Sequence, residues 1–381
     1  MNSSLESVEP QGTPTGEREP RPPRPPDGVT PPEFSTRRLV AGIGIGTGLA
    51  VAGIAIAMAG RGGVDVFRTA APPNLAFMGI AFLFAALDTF LGGFRLYYMA
   101  HRLAPEVRVT DGVRADLANR CLAGITPWQT GGGAAQLYVL ARAGLSVSGG
   151  VAVGTINFLV STIVLIGFGF IALAFLPSHL PRWLHVSTVS TLAFLIVLVL
   201  VGVVILGRGK AAPASGDGIA GGAAAGPASA RAARRGRIGA AFDRGLEFVK
   251  RSLEIARGLL RSHRQPVLTL FPITAGILGS KLVYTYFVFR AFEPQGHFSE
   301  MFAVLVILIL SLFFAPTPGA SGVAEGAGTA FLASSLSAPV AVGFVLYWRM
   351  LTLYLPVVIG GMVLLHQLGR DSRRVGTGSP P

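Results

Sequence analysis

The chain of 381 residues is apolar for its length, with 51% hydrophobic and only 13% charged residues. A soluble domain carries about 25% charged residues, whereas the charges of this chain lie between long apolar runs. This pattern excludes a single aqueous core and indicates a membrane protein. The one cysteine, Cys121, excludes an intrachain disulfide framework and a cysteine-based metal cluster.

A proline-rich tail precedes the apolar runs. Residues 1–36 contain nine prolines and mixed charge, which predicts a disordered tail rather than a cleavable signal peptide. Because a helix needs about 20 residues to cross the hydrocarbon core, the apolar runs that follow predict seven spans. They lie at about 39–60, 75–99, 151–176, 184–207, 267–292, 299–315 and 339–366.

Basic residues beside the spans predict the orientation. Arg38 precedes the first span, Arg102 follows the second and Arg208 follows the fourth, so these ends and the N-terminus are expected on the cytoplasmic side. Seven spans would place the basic C-terminal tail, 369–381, outside. An eighth crossing within 318–337 removes this conflict. The predicted fold is therefore an all-α polytopic bundle of seven or eight transmembrane helices.

The net charge of +13 is concentrated between the two membrane halves, 37–207 and 266–368. Residues 208–265 contain twelve lysines and arginines against four acidic residues, without a nucleic-acid motif. This segment is typical of a cytoplasmic loop that faces anionic lipid. Within it, 211–230 predicts a flexible linker. Apolar residues at steps of three and four predict an amphipathic basic helix over 238–263, either on the anionic membrane surface or as a solvated connector.

Two broken segments, 124–138 and 315–325, share the pattern Thr-Pro-x-x-[Ser/Thr]-Gly. Proline and glycine disfavour a continuous helix, and irregular backbone inside a membrane occurs only in protein or beside a wet cavity. Paired breaks in two halves are typical of a transporter binding site formed by a pseudo-repeat, although ordinary interhelical turns are the alternative. The candidate binding residues of these breaks are Thr126, Thr130, Gln136, Thr317, Ser321 and Glu325.

Ionisable residues also occur inside the apolar runs, where each is costly and usually marks a pathway or an ion pair. The additional candidates for substrate binding are Asp88, Arg95, Lys281 and Arg349, together with Arg120, which lies just before the first broken segment. Arg95 is alternatively a residue that extends to the headgroups, and Asp88 a structural partner of Arg95 or Lys281. We expect Glu325 and Arg349 to share one polar cavity with the two Thr-Pro turns.

Three segments together resemble the flippase-like membrane module of the lysylphosphatidylglycerol synthases, which also occurs as stand-alone bacterial inner-membrane proteins. They are 125–144 (ITPWQTGGGAAQLYVLARAG), 316–325 (PTPGASGVAE) and 347–361 (YWRMLTLYLPVVIGG). The resemblance covers roughly 39–368. It implies a helical module with re-entrant segments that moves phospholipids, such as aminoacylated phosphatidylglycerol, between leaflets. Ala320 stands where glycine is common, and 211–237 looks like an insertion.

The function expected from the sequence is a multi-pass lipid transporter of the bacterial inner membrane, with membrane phospholipids as partners and no cofactor. The soluble aminoacyl-transfer domain of the full-length synthases does not follow the module before Pro381, so lipid aminoacylation is disfavoured. Two alternatives remain: a membrane-embedded enzyme that modifies a headgroup with Glu325 as general base, and a scaffold that does not transport.

Overall fold

The computed structural model describes residues 72–174, 182–208, 237–293, 317–321 and 337–376, and the single positions 44, 48, 55, 302, 306 and 324. These residues form helices and short turns, so the all-α prediction is confirmed. The helices are α1 Leu75–Leu103, α2 Val109–Ile125, α3 Thr130–Arg142, α4 Val147–Ala174, α5 Arg182–Gly207, α6 Arg237–Ser262, α7 Arg264–Phe292, α8 Ala338–Arg349 and α9 Leu355–Gly376.

Five helical stretches are long and apolar enough to cross a membrane. They are Leu75–Leu103, Val147–Ala174, Thr188–Gly207, Arg264–Phe292 and Val340–Arg370. Each corresponds to a span that the sequence predicts. The expected spans at 39–60 and 299–315, most of the expected crossing at 318–337, the N-terminal tail and the linker at 211–230 lie outside the described residues.

Helices α2 and α3 form a hairpin rather than two spans. Helix α2 has 17 residues, a length of about 25 Å at 1.5 Å per residue. A short turn joins α2 to α3, the two helices pack together, and α2 also packs on α1 and α9. Because α2 and α3 run in opposite directions, the hairpin returns the chain towards the end of the bundle where α1 ended. It contains the first of the two breaks that the sequence predicts.

Two apolar clusters fill the bundle, and polar residues lie between them. One cluster includes Leu96, Met99 and Leu103 of α1 with residues of α2, α3, α4 and α6. The other includes Ala81 and Ala85 of α1 with residues of α7 and α8. Helix α1 therefore carries its charged residues between the two clusters, where its own apolar packing is interrupted.

The basic amphipathic helix predicted over 238–263 corresponds to α6, which packs against α4, α5 and α7. Ala256 and Leu259 are fully buried in this packing. Arg257 Nη2 donates to the carbonyl oxygen of Ile205, 3.0 Å away, near the end of α5. The helix is thus a packed part of the bundle, and it still exposes Leu246 and Val249.

The C-terminal tail starts later than the sequence predicts. Helix α9 continues to Gly376, through the first part of the predicted tail, 369–381. Basic residues near the end of a helix favour the negative end of its dipole, and the sequence has no proline between Pro356 and Pro380.

Candidate functional site

The two Thr-Pro segments form equivalent turns. In the first, a single 3₁₀ turn, Pro127–Gln129, separates α2 from α3, and Trp128 and Gln129 adopt φ values of 54° and 56°. In the second, Pro318–Ala320 forms a 3₁₀ turn in which Gly319 and Ala320 adopt φ values of 57° and 56°. Left-handed residues therefore occupy the two positions after each proline, as expected of a structural repeat.

The first break is shorter than the predicted 124–138, because α3 begins at Thr130. The threonines of this turn stabilise the break. Thr126 Oγ1 donates to the carbonyl oxygen of Leu122 at 2.6 Å and accepts from the Gly131 amide at 2.9 Å. Thr130 Oγ1 donates to the Pro127 carbonyl oxygen at 3.1 Å. Both hydroxyls thus bond within the turn, although the sequence predicted a role in substrate binding.

The second turn is bound to the end of α8. Arg349 is 4% exposed, and its Nη2 donates to the carbonyl oxygen of Gly319 at 2.9 Å and to Ser321 Oγ at 3.2 Å. Thr317 Oγ1 is buried without a hydrogen-bond partner in the described part of the chain. The two turns also contact each other. Arg349, Ser321 and the first turn are therefore brought together, as expected, whereas Glu325 lies outside the described residues.

A buried ion-pair cluster lies beside the turns. Asp88 is 2% exposed, and its Oδ2 is 2.7 Å from Arg120 Nη1 and 2.9 Å from Lys281 Nζ. Arg120 Nε also binds Asp116 Oδ2 at 2.6 Å. Asp88 thus pairs with Lys281, one of the two predicted partners, but hydrogen-bonds Arg120 rather than Arg95. Burial of these charges is tolerated because they neutralise one another.

The close approach of α1 and α2 makes this cluster possible. A Cβ at Gly93 would collide with the backbone of Val113, and a Cβ at Gly112 would collide with the carbonyl oxygen of Gly93. Only glycine allows the two helix backbones to meet at this distance. Helix α2 is thereby held close enough to α1 for Arg120 to reach Asp88.

A cavity of about 360 Å³ joins the cluster and the turns. We call this cavity of α2, α7, α8 and the two turns the first cavity. Lys281 and Arg120 keep 29% and 20% of their side chains exposed, so both remain accessible. The first cavity is lined by Asn119, Arg120, Ala123, Gly124, Gln129, Lys281, Tyr284, Thr285, Gly319, Ala320, Trp348, Arg349, Thr352 and Leu353.

Arg95 and Gln136 belong to a different cavity, of about 530 Å³, between α1, α2, α3 and α4. Arg95 Nη1 donates to Ser161 Oγ at 2.6 Å and to Thr274 Oγ1 at 3.3 Å, so the side chain is held inside the bundle instead of extending to the headgroups. Gln136 Oε1 accepts from Asn119 Nδ2 at 2.7 Å. We call this the second cavity.

An apolar groove of about 220 Å³ runs between α1, α2 and the start of α9. Phe82 and Phe90, at its α1 side, are 48% and 50% exposed. A π-helical segment, Met350–Tyr354, follows Arg349. Its residue Leu351 lines the groove, whereas Thr352 and Leu353 line the first cavity. Such π-helical turns occur frequently at functional sites, and here one places a polar cavity and an apolar groove beside the same segment.

A further cavity, of about 520 Å³, lies where α2 begins and α3 ends. Arg114, Arg142 and Arg370 line it together with Asp111 and His366. This basic surface is typical of the headgroup region of an anionic leaflet.

The family model described as the lysylphosphatidylglycerol synthase TM region matches residues 39–360. The chain belongs to this family. The match covers most of the chain, and the described helices cross the membrane several times, so the protein is a multi-pass membrane member of the lysylphosphatidylglycerol synthase TM family. A comparison with curated proteins finds no match.

Sequence reasoning did not single out Asp116, Asn119 or Asn157 in this family member. Asp116 and Asn119 are on the short helix α2, where polar residues are common and give no signal. Asn157 did give one, because it is an amide within the apolar run 151–176. The face of α2 that carries Arg120 contains both charged and small apolar residues. It is recognisable as a buried face only when α1 is known to pack on it.

Proposed function

We propose that the protein moves phospholipids between the leaflets of a bacterial inner membrane, with the headgroup passing through the first cavity and the acyl chains remaining in lipid. The observation that carries this proposal is the placement of Arg120, Lys281 and Arg349 around one cavity beside both helix breaks. A headgroup crossing about 30 Å of hydrocarbon loses its hydration and needs polar partners at this depth.

The donors of the site suit a phosphate. Arg120, Lys281 and Arg349 line the first cavity, and Arg120 and Lys281 remain partly exposed. Arginine and lysine form charge-assisted hydrogen bonds with phosphate oxygens, and these bonds are about twice as strong as neutral ones.

Side chains, more than the turn amides, are expected to bind the phosphate. The amides of Gln129, Gly131, Ala320 and Ser321 already donate within their own turns. The amides of the two turns are therefore not the preferred phosphate donors. The positive end of the α3 dipole lies next to Gln129 and adds to the favourable potential.

The apolar groove supports a lipid rather than a water-soluble phosphate. Leu351 of the π-helical segment and Leu355, which follows that segment, line the groove. The same π-helical segment also borders the first cavity. The half-exposed Phe82 and Phe90 provide a surface on which acyl chains can lie. A headgroup in the first cavity would thus have its apolar chains at a surface that suits them.

We place the basic segment 208–265 and both termini on the cytoplasmic side of the membrane, following the distribution of arginine. The exposed Lys250 and Arg261 of α6 would contact anionic phospholipids there.

Reconstitution of the full chain into liposomes that contain phosphatidylglycerol tests the proposal. Periodate added outside cleaves the vicinal diol of accessible headgroups, so transport is measured as oxidation beyond the outer-leaflet fraction. We expect complete oxidation with the wild type and strong loss with Arg349→Gln. Arg102→Gln, a change at an exposed arginine outside the cavity, is the matched control. Oxidation equal to that of protein-free liposomes would contradict transport.

Mass spectrometry of a parallel liposome sample without periodate tests the enzyme alternative. We expect the phosphatidylglycerol headgroups of that sample to keep their mass. A new headgroup mass that appears only with the wild-type protein would identify a modifying enzyme instead of a transporter.

A further inference from the structure

The second cavity has a lining unlike that of the first. It lies between α1, α2, α3 and α4, and its polar residues include Arg95, Asn119, Gln136, Asn157 and Ser161. Arg95 is the one charged side chain among the described residues that line it. The polar groups of this largely apolar lining are therefore mostly amides and hydroxyls, which bind neutral polar groups.

Asn157 lacks partners in this lining. It is 4% exposed, and neither Oδ1 nor Nδ2 has a hydrogen-bond partner among the described residues. An unpaired buried amide is costly, and it usually indicates an unseen water or ligand. Asn157 lines the second cavity, so a ligand held in that cavity can supply the missing partners. One donor and one acceptor on the same group match a hydroxyl, which both accepts and donates.

Arg95 limits the charge of the ligand. Its Nη1 is bound to Ser161 and Thr274, and its Nε is buried without a partner in the described part of the chain. No carboxylate is among the described residues that line the cavity. An ammonium group would therefore meet the Arg95 cation without a carboxylate among the described lining residues, whereas an anionic or neutral oxygen-rich group suits this lining.

Asn119 separates the two cavities. It lines both of them, and its Nδ2 donates to Gln136 Oε1. Arg120, the next residue, faces the ion-pair cluster and the first cavity. A ligand that spans the two cavities would have to pass this hydrogen-bonded pair.

We propose that the second cavity is a separate binding site for the uncharged, hydroxyl-bearing part of a phosphodiester headgroup. Asn157 recognises the hydroxyls, and the Asn119–Gln136 pair divides this site from the phosphate site of the first cavity. The inference rests on the proposed lipid transport and names the substrate class: polyol phosphodiesters rather than amine-bearing headgroups.

Two lipids of equal charge test the inference. Dioctanoyl phosphatidylglycerol and dioctanoyl phosphatidylethanol each carry one negative charge and differ in the headgroup hydroxyls. Binding of both to the purified full chain is measured by calorimetry. We expect the wild type to bind phosphatidylglycerol about tenfold more tightly. Asn157→Leu should remove this preference and leave the affinity for phosphatidylethanol unchanged.

A second variant keeps the test valid if Asn157→Leu fails to fold. A Cβ at Gly154, which lines the second cavity, would meet no atom within 4 Å, so Gly154→Leu fills the cavity without a backbone clash. It should also abolish the preference. Gly279→Leu is the matched control, because Gly279 is equally open and is not among the residues that line either cavity.

The outcomes separate the second site from the proposed function. Equal binding of the two lipids by the wild type, or a preference that persists in both variants, would overturn the second site and leave lipid transport intact. Failure of the wild type to bind either lipid would overturn the proposed function. Glycerol 1-phosphate distinguishes the source of the ligand: we expect it not to displace phosphatidylglycerol, and displacement at similar concentration would overturn a lipid-borne ligand.

Discussion

Gly319 has a left-handed φ of 57°, and a Cβ at this position would lie 2.8 Å from the carbonyl oxygen of Gly124. The second Thr-Pro turn thus packs directly on the end of the helix that precedes the first. This contact joins the two breaks, and it also positions the Gly319 carbonyl oxygen that accepts from Arg349.

We expect Gly319→Ala to lower the free energy of unfolding by about 2 kcal/mol or more, because a non-glycine residue in this conformation costs about 1–2 kcal/mol and the new methyl group also collides with Gly124. Thermal unfolding in detergent measures the change. Gly279→Ala is the control, since it adds a methyl group in open space within α7. Equal stability of the two variants would show that the contact between the turns is loose.

The second prediction concerns the buried ion-pair cluster. Asp88→Asn leaves Lys281 and Arg120 without their shared carboxylate, and removal of one partner of a buried pair costs about 3–5 kcal/mol. Lys281→Met should also destabilise the protein, but less, because Arg120 still compensates Asp88. The double variant should lose less stability than the sum of the single variants, with a coupling energy of about 1–3 kcal/mol.

Chemical unfolding of the three variants measures this coupling. Asp111→Asn is the control, because its partner Arg114 keeps 53% of its side chain exposed and exposed pairs contribute little. Additive effects of the Asp88 and Lys281 substitutions on the free energy of unfolding would contradict a stabilising interaction between the two side chains.

The repeat could be predicted because its chemistry is local. A proline that is followed three and four residues later by Ser or Thr and by Gly marks both turns, and Arg349 was recognised because it lies in an apolar run. The partner of Asp88 could not be determined in the same way. Arg120 reaches it through the close contact of Gly93 with Gly112, which depends on how α1 packs against α2. The separation of Arg95 from the first cavity likewise depends on Ser161, 66 residues away.

Arg349 and Ser321 make a third prediction. Arg349→Lys should greatly reduce transport in the periodate assay, because the shorter lysine lacks the planar guanidinium whose Nη2 binds both Gly319 and Ser321. Ser321→Ala removes one neutral acceptor and should reduce transport only a few-fold, since the bond to the Gly319 carbonyl oxygen remains. Wild-type transport by Arg349→Lys would show that its charge alone is sufficient.

Two basic residues of α6 should behave differently. Arg257→Gln loses the bond to the Ile205 carbonyl oxygen and should lower the free energy of unfolding by about 1–2 kcal/mol. Lys250 is exposed on the same helix, so Lys250→Gln should leave stability unchanged. It should instead weaken the stabilisation by anionic lipid, by about 1 kcal/mol per charge. Thermal unfolding with and without phosphatidylglycerol separates the two effects, and identical behaviour of the variants would contradict this assignment.

The apolar groove provides the last prediction. Ala86 lines the groove, so Ala86→Trp should fill much of its volume of about 220 Å³. If acyl chains lie there during transport, periodate oxidation of inner-leaflet phosphatidylglycerol should slow strongly. The first cavity itself should not change, because the groove and the cavity are on different sides of the π-helical segment. Leu83→Trp is the matched control: Leu83 is 67% exposed on the same helix and is not among the groove residues. Equal slowing by both tryptophans would indicate a general disturbance of α1. Full transport by Ala86→Trp would show that the lipid chains take another path across the protein surface.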